Sequence, residues 1–340
     1  MATRHSNCGV DPANAGSQLE ITMYHTVLKK LSRFLLMKSV FFLPPDRKIA
    51  IERRHRGREQ LGKLKRADVV VVSFGKSGRT WLRVMLSRIY QRKYGLSEGS
   101  LLSFDNFHRR NPAIPTVFFT HDNYVRDYTG SQDVVTDYGD RKVVLLVRHP
   151  ADVTVSQFFQ WKHRMKESKI HLLEFPERAE EVSLFDFLMD PTYGLARAID
   201  FMNLWARDLP HMESCLMVRY EDLRADPPGV LRRVAQFLGT EVSDAEVSDA
   251  VEYGSVENMR QMEQKGSHWL SGGRLKPRDR ANPDSYKVRR AKVGGYRDYF
   301  DEHQAARIDE MLESRLSPLY GYTARADRND PDVPGERASA

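Results

Sequence analysis

Val69-Val70-Val71-Val72-Ser73-Phe74-Gly75-Lys76-Ser77-Gly78-Arg79-Thr80-Trp81 opens the globular body of this 340-residue chain. The run Val69–Ser73 is short, continuous and β-branched, the pattern of a strand buried on both faces. From Thr80 to Arg92, Trp81, Leu82, Met85, Leu86 and Ile89 fall on one helical stripe. A turn joining a buried strand to a helix points successive backbone N–H groups and the positive helix end at one spot, which suits a phosphate. Lys76 adds a point charge there, and Ser77 and Thr80 add hydroxyls. The first glycine of the usual nucleoside-triphosphate loop is missing, a valine of the run standing in its place. The plain alternative is a strand-to-helix turn with glycine present for geometry alone.

Outward from this stretch, further strand-like runs occupy Thr116–Thr120, Lys142–Val147 and Cys215–Tyr220. Helical patterns cover Pro150–Arg164 and Pro227–Leu238, the second closed by Gly239. Strands alternating with helices predict an α/β fold with a mainly parallel central sheet and helices on both faces. Arg148 stands at the carboxyl end of its strand, Pro150 suits a first helical turn, and Ser156 lies two turns along. Arg148 and Ser156 together suit a second phosphate group, although an Arg at a strand end also serves as a surface ion pair. Two segments, Met165–Glu181 and Gln261–Arg290, carry too little apolar pattern for regular elements and are expected to be mobile flaps over a site.

Composition excludes several classes. The longest run without Asp, Glu, Lys or Arg is the eleven residues Asn111–His121, against about 20 for a membrane-spanning helix. Two cysteines, Cys8 and Cys215, exclude a disulfide scaffold and a four-cysteine zinc site. Met1–Glu20 lacks the apolar core of a signal peptide, so a cytoplasmic location is expected. Residues 1–66 hold 14 Lys/Arg against 5 Asp/Glu, a local charge of +9, which leaves −2 on the remainder. A nearly neutral body argues against nucleic acid as a partner. Residues 1–20 read as a disordered start and residues 21–66 as a basic amphipathic arm. In the arm Tyr24, Val27, Leu28, Leu31, Phe34 and Leu35 make one stripe, Pro44 and Pro45 stop it, and a basic run follows to Arg66. Such an arm packs on its own domain, lies on an anionic membrane surface, or, least in keeping with the body, binds nucleic acid. Residues 67–322 form the domain, and residues 323–340 read as a disordered tail.

Four stretches in order resemble the cytosolic-type sulfotransferases. Lys76, Ser77, Gly78, Thr80 and Trp81 match that family's T-Y-P-K-S-G-T-T-W loop, while Phe74, Gly75 and Arg79 depart from it. Arg148 through Ser156 is similar to its R-x-P-x-D-x-x-x-S motif. Tyr220-Glu221-Asp222-Leu223, with Asp226-Pro227 and Phe237-Leu238-Gly239, resembles its Y-E-D-L stretch, and Arg289 to Gly295 its late R-K-G segment. The resemblance spans roughly Ala67 to Tyr322. It implies a P-loop-like three-layer fold and transfer of a sulfuryl group from 3′-phosphoadenosine 5′-phosphosulfate to a hydroxyl or amine, with no metal. It further implies that Ser77 through Thr80, Arg79 included, cradle the 5′-phosphosulfate with their N–H groups and that Trp81 stacks on adenine. Lys76 would neutralise the leaving oxygen, and Arg148, Ser156 and Arg289 would hold the 3′-phosphate with Arg290 assisting. Tyr220, Ser255 and Met259 would line the adenine side.

A base is needed for the acceptor proton, and histidine is poised near neutrality. His121 follows the Thr116–Thr120 strand and should reach the sheet edge where ligands of open α/β sheets collect. Alone, a strand-end histidine is as well explained by structure. The family's K-T-H segment is matched by Thr120-His121, with Phe119 in place of the lysine. Asp122, which replaces a leucine, is expected to orient His121 or raise its basicity. Gly254-Ser255-Val256 replaces T-S-F, and Ala291 replaces a glycine, so the phosphate loop is expected to change shape there. The family's dimer motif is not matched at Arg297, Asp301, Glu302 and Ala306, which leaves oligomeric state open. The acceptor is expected to be a hydroxyl-bearing small molecule, glycan or lipid. The competing functions are a nucleotide-dependent phosphotransferase and a non-catalytic membrane-associated adaptor.

Overall fold

A computed structural model describes residues 31–178, 181–266 and 277–322. The expected disordered start, the arm as far as residue 30 and the tail from residue 323 lie outside the described residues, as does part of each expected flap. The chain divides into two units, one up to His55 and one from Arg56 onward. In the first, residues 31–39 are helical, and Leu31, Phe34, Leu35, Phe41 and Phe42 are all exposed.

The second unit is organised by four parallel strands, β1 (Val69–Ser73), β2 (Val117–Thr120), β3 (Lys142–Val147) and β4 (Ser214–Arg219), in spatial order β2-β1-β3-β4. The main helices are α1 (Arg79–Tyr94), α2 (Pro150–His163), α3 (Leu195–Asp208), α4 (Pro227–Phe237), α5 (Asp244–Tyr253), α6 (Val256–Lys265) and α7 (Glu302–Arg315). The valine run explains the layering, because successive side chains of a strand point to opposite faces. Val70 and Val72 join Val143 and Leu145 beneath α2, α3 and α7, where Ile199, Trp205 and Ile308 are buried. Val69 and Val71 join Val144, Leu146 and Val218 under α1, α4 and α5, with Met85, Ile89, Leu231 and Ala250. Each fully buried Val or Leu contributes about 1.5–3 kcal/mol of transfer free energy, so the run holds both outer layers at once.

Most boundaries shift by a residue or two from the sequence reading, and two differences bear on the site. The fourth strand is Ser214–Arg219, and Tyr220 instead opens a short helix, Tyr220–Ala225. The helix Pro45–Leu64 continues into the second unit. There Leu64 is buried with the Val70 face of the sheet, and Gln60 meets the Thr120 hydroxyl at 3.1 Å. Gly57 lies so close to the backbone of Tyr124 that an added Cβ would sit 2.3 Å from its carbonyl oxygen. The last turns of the basic run thus pack on the domain.

Strand order positions the site. The chain leaves β1 toward β2 on one side, then returns to place β3 on the other. The connections after β1 and β3 therefore diverge, opening a crevice at the carboxyl ends of these two strands. The 74–78 turn and Arg148 sit on either side of it, and His121 follows the neighbouring strand.

Candidate active site

The 74–78 turn takes a conformation that few residues accept. Lys76 has φ +74° and Gly78 φ +89°, both in the left-handed region, which costs an L-residue about 1–2 kcal/mol. Gly78 is the N-cap of α1. A Cβ there would lie 2.6 Å from Cδ2 of Tyr220, so the glycine answers both the dihedral and the close approach of the ring. The Ser77 hydroxyl turns inward and donates to the Phe74 carbonyl at 3.2 Å. That corrects the expectation of a hydroxyl presented to the anion, and Ser77 is left with its N–H group. Thr80 lines the cavity as expected.

Residues from the turn, from α1, β2, α2 and α6, from the 287–295 segment and Arg148 just after β3 line a cavity of about 490 Å³. Lys76 is half-buried in its wall. Burial, then the positive charges of Arg164 and Arg148, lower its pKa to about 7. Arg148 donates to the carbonyls of Lys76 (3.4 Å) and Lys292 (3.0 Å) and to Asp152 (3.3 Å), and its guanidinium stacks 4.4 Å from the centre of the Tyr220 ring. Its Nε is buried without a hydrogen-bond partner among the described residues. Asp152 also accepts from the N–H groups of Gly294 and Tyr296 at 3.0 and 2.9 Å, which fastens the 289–296 loop against α2. Ala291 holds φ +55°. Alanine thus holds there the left-handed conformation that a glycine adopts freely. Arg289 lies over the Phe159 ring at 3.6 Å and donates to the Tyr299 hydroxyl, while Arg290, exposed, pairs with Asp298 at 2.5 Å. Both, with Ser156 and Met259, line the cavity.

Trp81 meets Tyr220 edge-on at 5.9 Å and donates to the Gly254 carbonyl at 2.8 Å. A side chain at position 254 would press on Met85 at 2.7 Å, which accounts for the glycine there. Ser255 caps α6 by accepting from the Asn258 N–H at 3.2 Å. One lone pair of its hydroxyl is thereby engaged in the helix start.

His121 reaches the same cavity. Its Nδ1 lies 2.8 Å from the Ser73 carbonyl. A carbonyl only accepts, so Nδ1 carries the proton and Nε2 presents a lone pair. That lone pair accepts from Nη2 of Arg79 at 2.6 Å. Burial, then Arg79 and more weakly Lys287 and Lys169, hold the imidazole well below its ordinary pKa, although the Ser73 bond acts in the opposite sense. Asp122 does not orient His121, contrary to expectation. Its carboxylate accepts from the Tyr138 hydroxyl at 2.7 Å and from Arg126 at 3.0 Å, and burial raises its pKa to about 6. Its φ of +55° lies in the left-handed region, which aspartate enters more readily than most residues.

Sequence reading missed Arg83, Lys169 and Lys287, which line the cavity. Arg83 had a signal, since it stands four residues after Arg79 on one helix face. Its guanidinium rests 3.9 Å from the Phe119 ring, so the site regains a positive charge near the position where the family's lysine is absent. Lys169 and Lys287 come from the two segments read as flaps, and no local pattern marked them.

Parallel strands, a glycine-bearing turn and several cations thus meet at one cavity. The family comparison makes the class specific, because the sulfotransferase domain matches residues 66–319. The chain belongs to the sulfotransferase family. It is 25% identical over 280 residues to cytosolic sulfotransferase 17 of Arabidopsis thaliana, covering 73% of this chain and 74% of that protein. It is 22% identical over 275 residues to the 3-alpha-hydroxysteroid sulfotransferase of Cavia porcellus, covering 75% and 85%. Its fold is similar to that of mouse sulfotransferase SULT7A1 complexed with PAP, with a TM-score of 0.51 and 21% identity over 76% of this chain and 89% of that one.

Proposed function

We propose that this enzyme moves a sulfuryl group from 3′-phosphoadenosine 5′-phosphosulfate to an acceptor hydroxyl. The observation that carries this reading is one cavity shared by the Lys76 turn, the Arg148 and Arg289 guanidinium groups, and His121. A donor with anionic groups at its 5′ and 3′ positions fits a cavity that carries the Lys76 turn together with Arg148 and Arg289, and the buried Arg148 Nε, without a partner among the described residues, is a donor suited to an oxyanion. The N–H groups from Ser77 to Thr80 would hold the 5′ end. Arg148, Arg289 and Ser156, with Arg290 outside, would hold the 3′-phosphate, and Trp81, Tyr220 and Met259 the adenine.

In the reaction the acceptor oxygen bonds to sulfur, its proton passes to Nε2 of His121, and the sulfur–oxygen bond to the 5′-phosphate breaks with its electron pair left on that oxygen. Lys76 stabilises the charge that develops there. Ser73 fixes the His121 tautomer that such a base requires. Calorimetry with adenosine 3′,5′-bisphosphate and adenosine 5′-monophosphate tests the donor assignment. The bisphosphate should bind about tenfold or more tightly, and equal affinities reject the two-site reading. His121→Ala should keep bisphosphate binding and lose about 10²–10⁴ in turnover; near-normal turnover removes His121 as base. Formation of a phosphorylated product from a nucleoside triphosphate would favour the phosphotransferase alternative.

A seat at an anionic membrane surface is a second element of the proposal. It is supported by Phe41 and Phe42, exposed at 73% and 70%, within a segment of local charge +9.

A further inference from the structure

We propose that Gln60, on the helix that leads into β1, is a positioning residue for the His121 imidazole. The inference rests on the reading of His121 as the base and adds a residue that holds it in place. Two anchors set the ring. One is the Ser73 carbonyl at Nδ1. The other acts through the backbone, where the Thr120 hydroxyl accepts from the Asp122 N–H at 2.9 Å. A side-chain bond therefore closes the chain around residue 121, which lies between them. That bond needs the hydroxyl turned one way. A threonine hydroxyl carries a single proton and rotates to suit its acceptor. Here the proton goes to Oε1 of Gln60 at 3.1 Å, which leaves a lone pair for the Asp122 N–H. Thr120 is 2% exposed and Asp122 4%, so water does not replace either partner without an opening of the structure.

Gln60 is itself held. Gly57, Gln60, Leu61 and Leu64 follow one another at helical spacing and share one face of the helix Pro45–Leu64. Gly57 lies against the Tyr124 carbonyl and the Tyr128 side chain, and Leu61 and Leu64 pack on the Val70 face of the sheet. Just past the helix the Arg66 carbonyl accepts from the Thr116 hydroxyl at 3.0 Å. The segment 57–66 thus engages Thr116, before β2 begins, and Thr120, where β2 ends. The sulfotransferase domain match starts at residue 66, so Gln60 lies outside the part of the chain that the family covers. Misplacing a reacting group by about 1 Å costs as much as about 10²-fold in rate, so an anchor of this kind bears on catalysis without touching substrate.

The test follows the His121 Nδ1–H by heteronuclear NMR in the full chain without nucleotide. The wild type should show this proton protected from solvent. Gln60→Leu should speed its exchange about tenfold. Thr120→Ser, which keeps the hydroxyl, should behave as wild type, whereas Thr120→Val should exchange as fast as Gln60→Leu or faster. The double variant Gln60→Leu/Thr120→Val should lose no more protection than Thr120→Val alone, because both changes break one bond. Val234→Ala truncates the core in α4, on the other face of the sheet. It should lower the melting temperature and leave the exchange unchanged, which separates positioning from general loosening. An unprotected Nδ1–H in the wild type, unchanged exchange in Gln60→Leu, additive losses in the double variant, or equal acceleration in Val234→Ala overturns the proposal. The base reading fails separately. Near-normal turnover in His121→Ala removes that reading, while faster exchange confined to the Gln60 and Thr120 variants keeps Gln60 as the residue that positions the ring.

Discussion

Lys76 should take up a proton when the nucleotide product binds. Its pKa of about 7 in the free protein follows from burial and from the neighbouring Arg164 and Arg148. An anionic phosphate placed against the ammonium reverses the electrostatic part of that balance and returns the group toward its ordinary value near 10.4. The magnitude follows from linkage. At pH 8 about one free molecule in ten has Lys76 charged, so binding takes up about 0.9 proton; at pH 6 it takes up about 0.1. Affinity should accordingly fall by close to tenfold for each pH unit above about 7.5, about 1.4 kcal/mol per unit, and level off below about pH 6. The assay is calorimetric titration of adenosine 3′,5′-bisphosphate at pH 8 in two buffers of different ionisation enthalpy. The difference between the observed enthalpies reports the proton number. Phosphate monoesters, with a second pKa near 6, are fully ionised at pH 8, and His121, held well below its usual pKa, stays neutral there. Lys76→Met should abolish the uptake. A wild-type enthalpy independent of buffer at pH 8 would refute the reasoning.

Gly78→Ala should push the Tyr220 ring away from the turn, because the new Cβ would start 2.6 Å from it, and should disturb Arg148, which stacks on that ring. Bisphosphate affinity should fall about tenfold or more, and the left-handed φ alone should cost about 1–2 kcal/mol of stability; an unchanged melting temperature and affinity would show that the turn relaxes freely. For the membrane seat, replacing Phe41 and Phe42 together by Ser should weaken co-sedimentation with anionic vesicles by roughly tenfold or more, since burying each phenyl ring is worth about 1.5–3 kcal/mol. Wild-type protein that ignores vesicles, or binds neutral and anionic ones alike, would remove that element.

The parts legible from sequence are those set by neighbours in the chain. Four consecutive valines specify a strand with both faces covered, whatever packs against them, and β1 and β3 begin and end where their apolar runs do. The glycine-bearing turn and the Arg148 strand end were legible for the same local reason, and both line the cavity. The position of His121 needed only the rule that parallel strands present their carboxyl ends to one edge. Tertiary structure decided where side chains point once there. Ser77 and Ser255 look available to a ligand until the fold offers them the Phe74 carbonyl and the start of α6. Asp122 adjoins His121 in sequence, yet its backbone turn delivers it to Tyr138, sixteen residues later. The cations around His121 come from α1 and from the 169 and 287 segments, far apart in the chain. Their joint effect on the imidazole is a sum over distances that exists only after folding, and so the state of that ring was not a property any single stretch of sequence could carry.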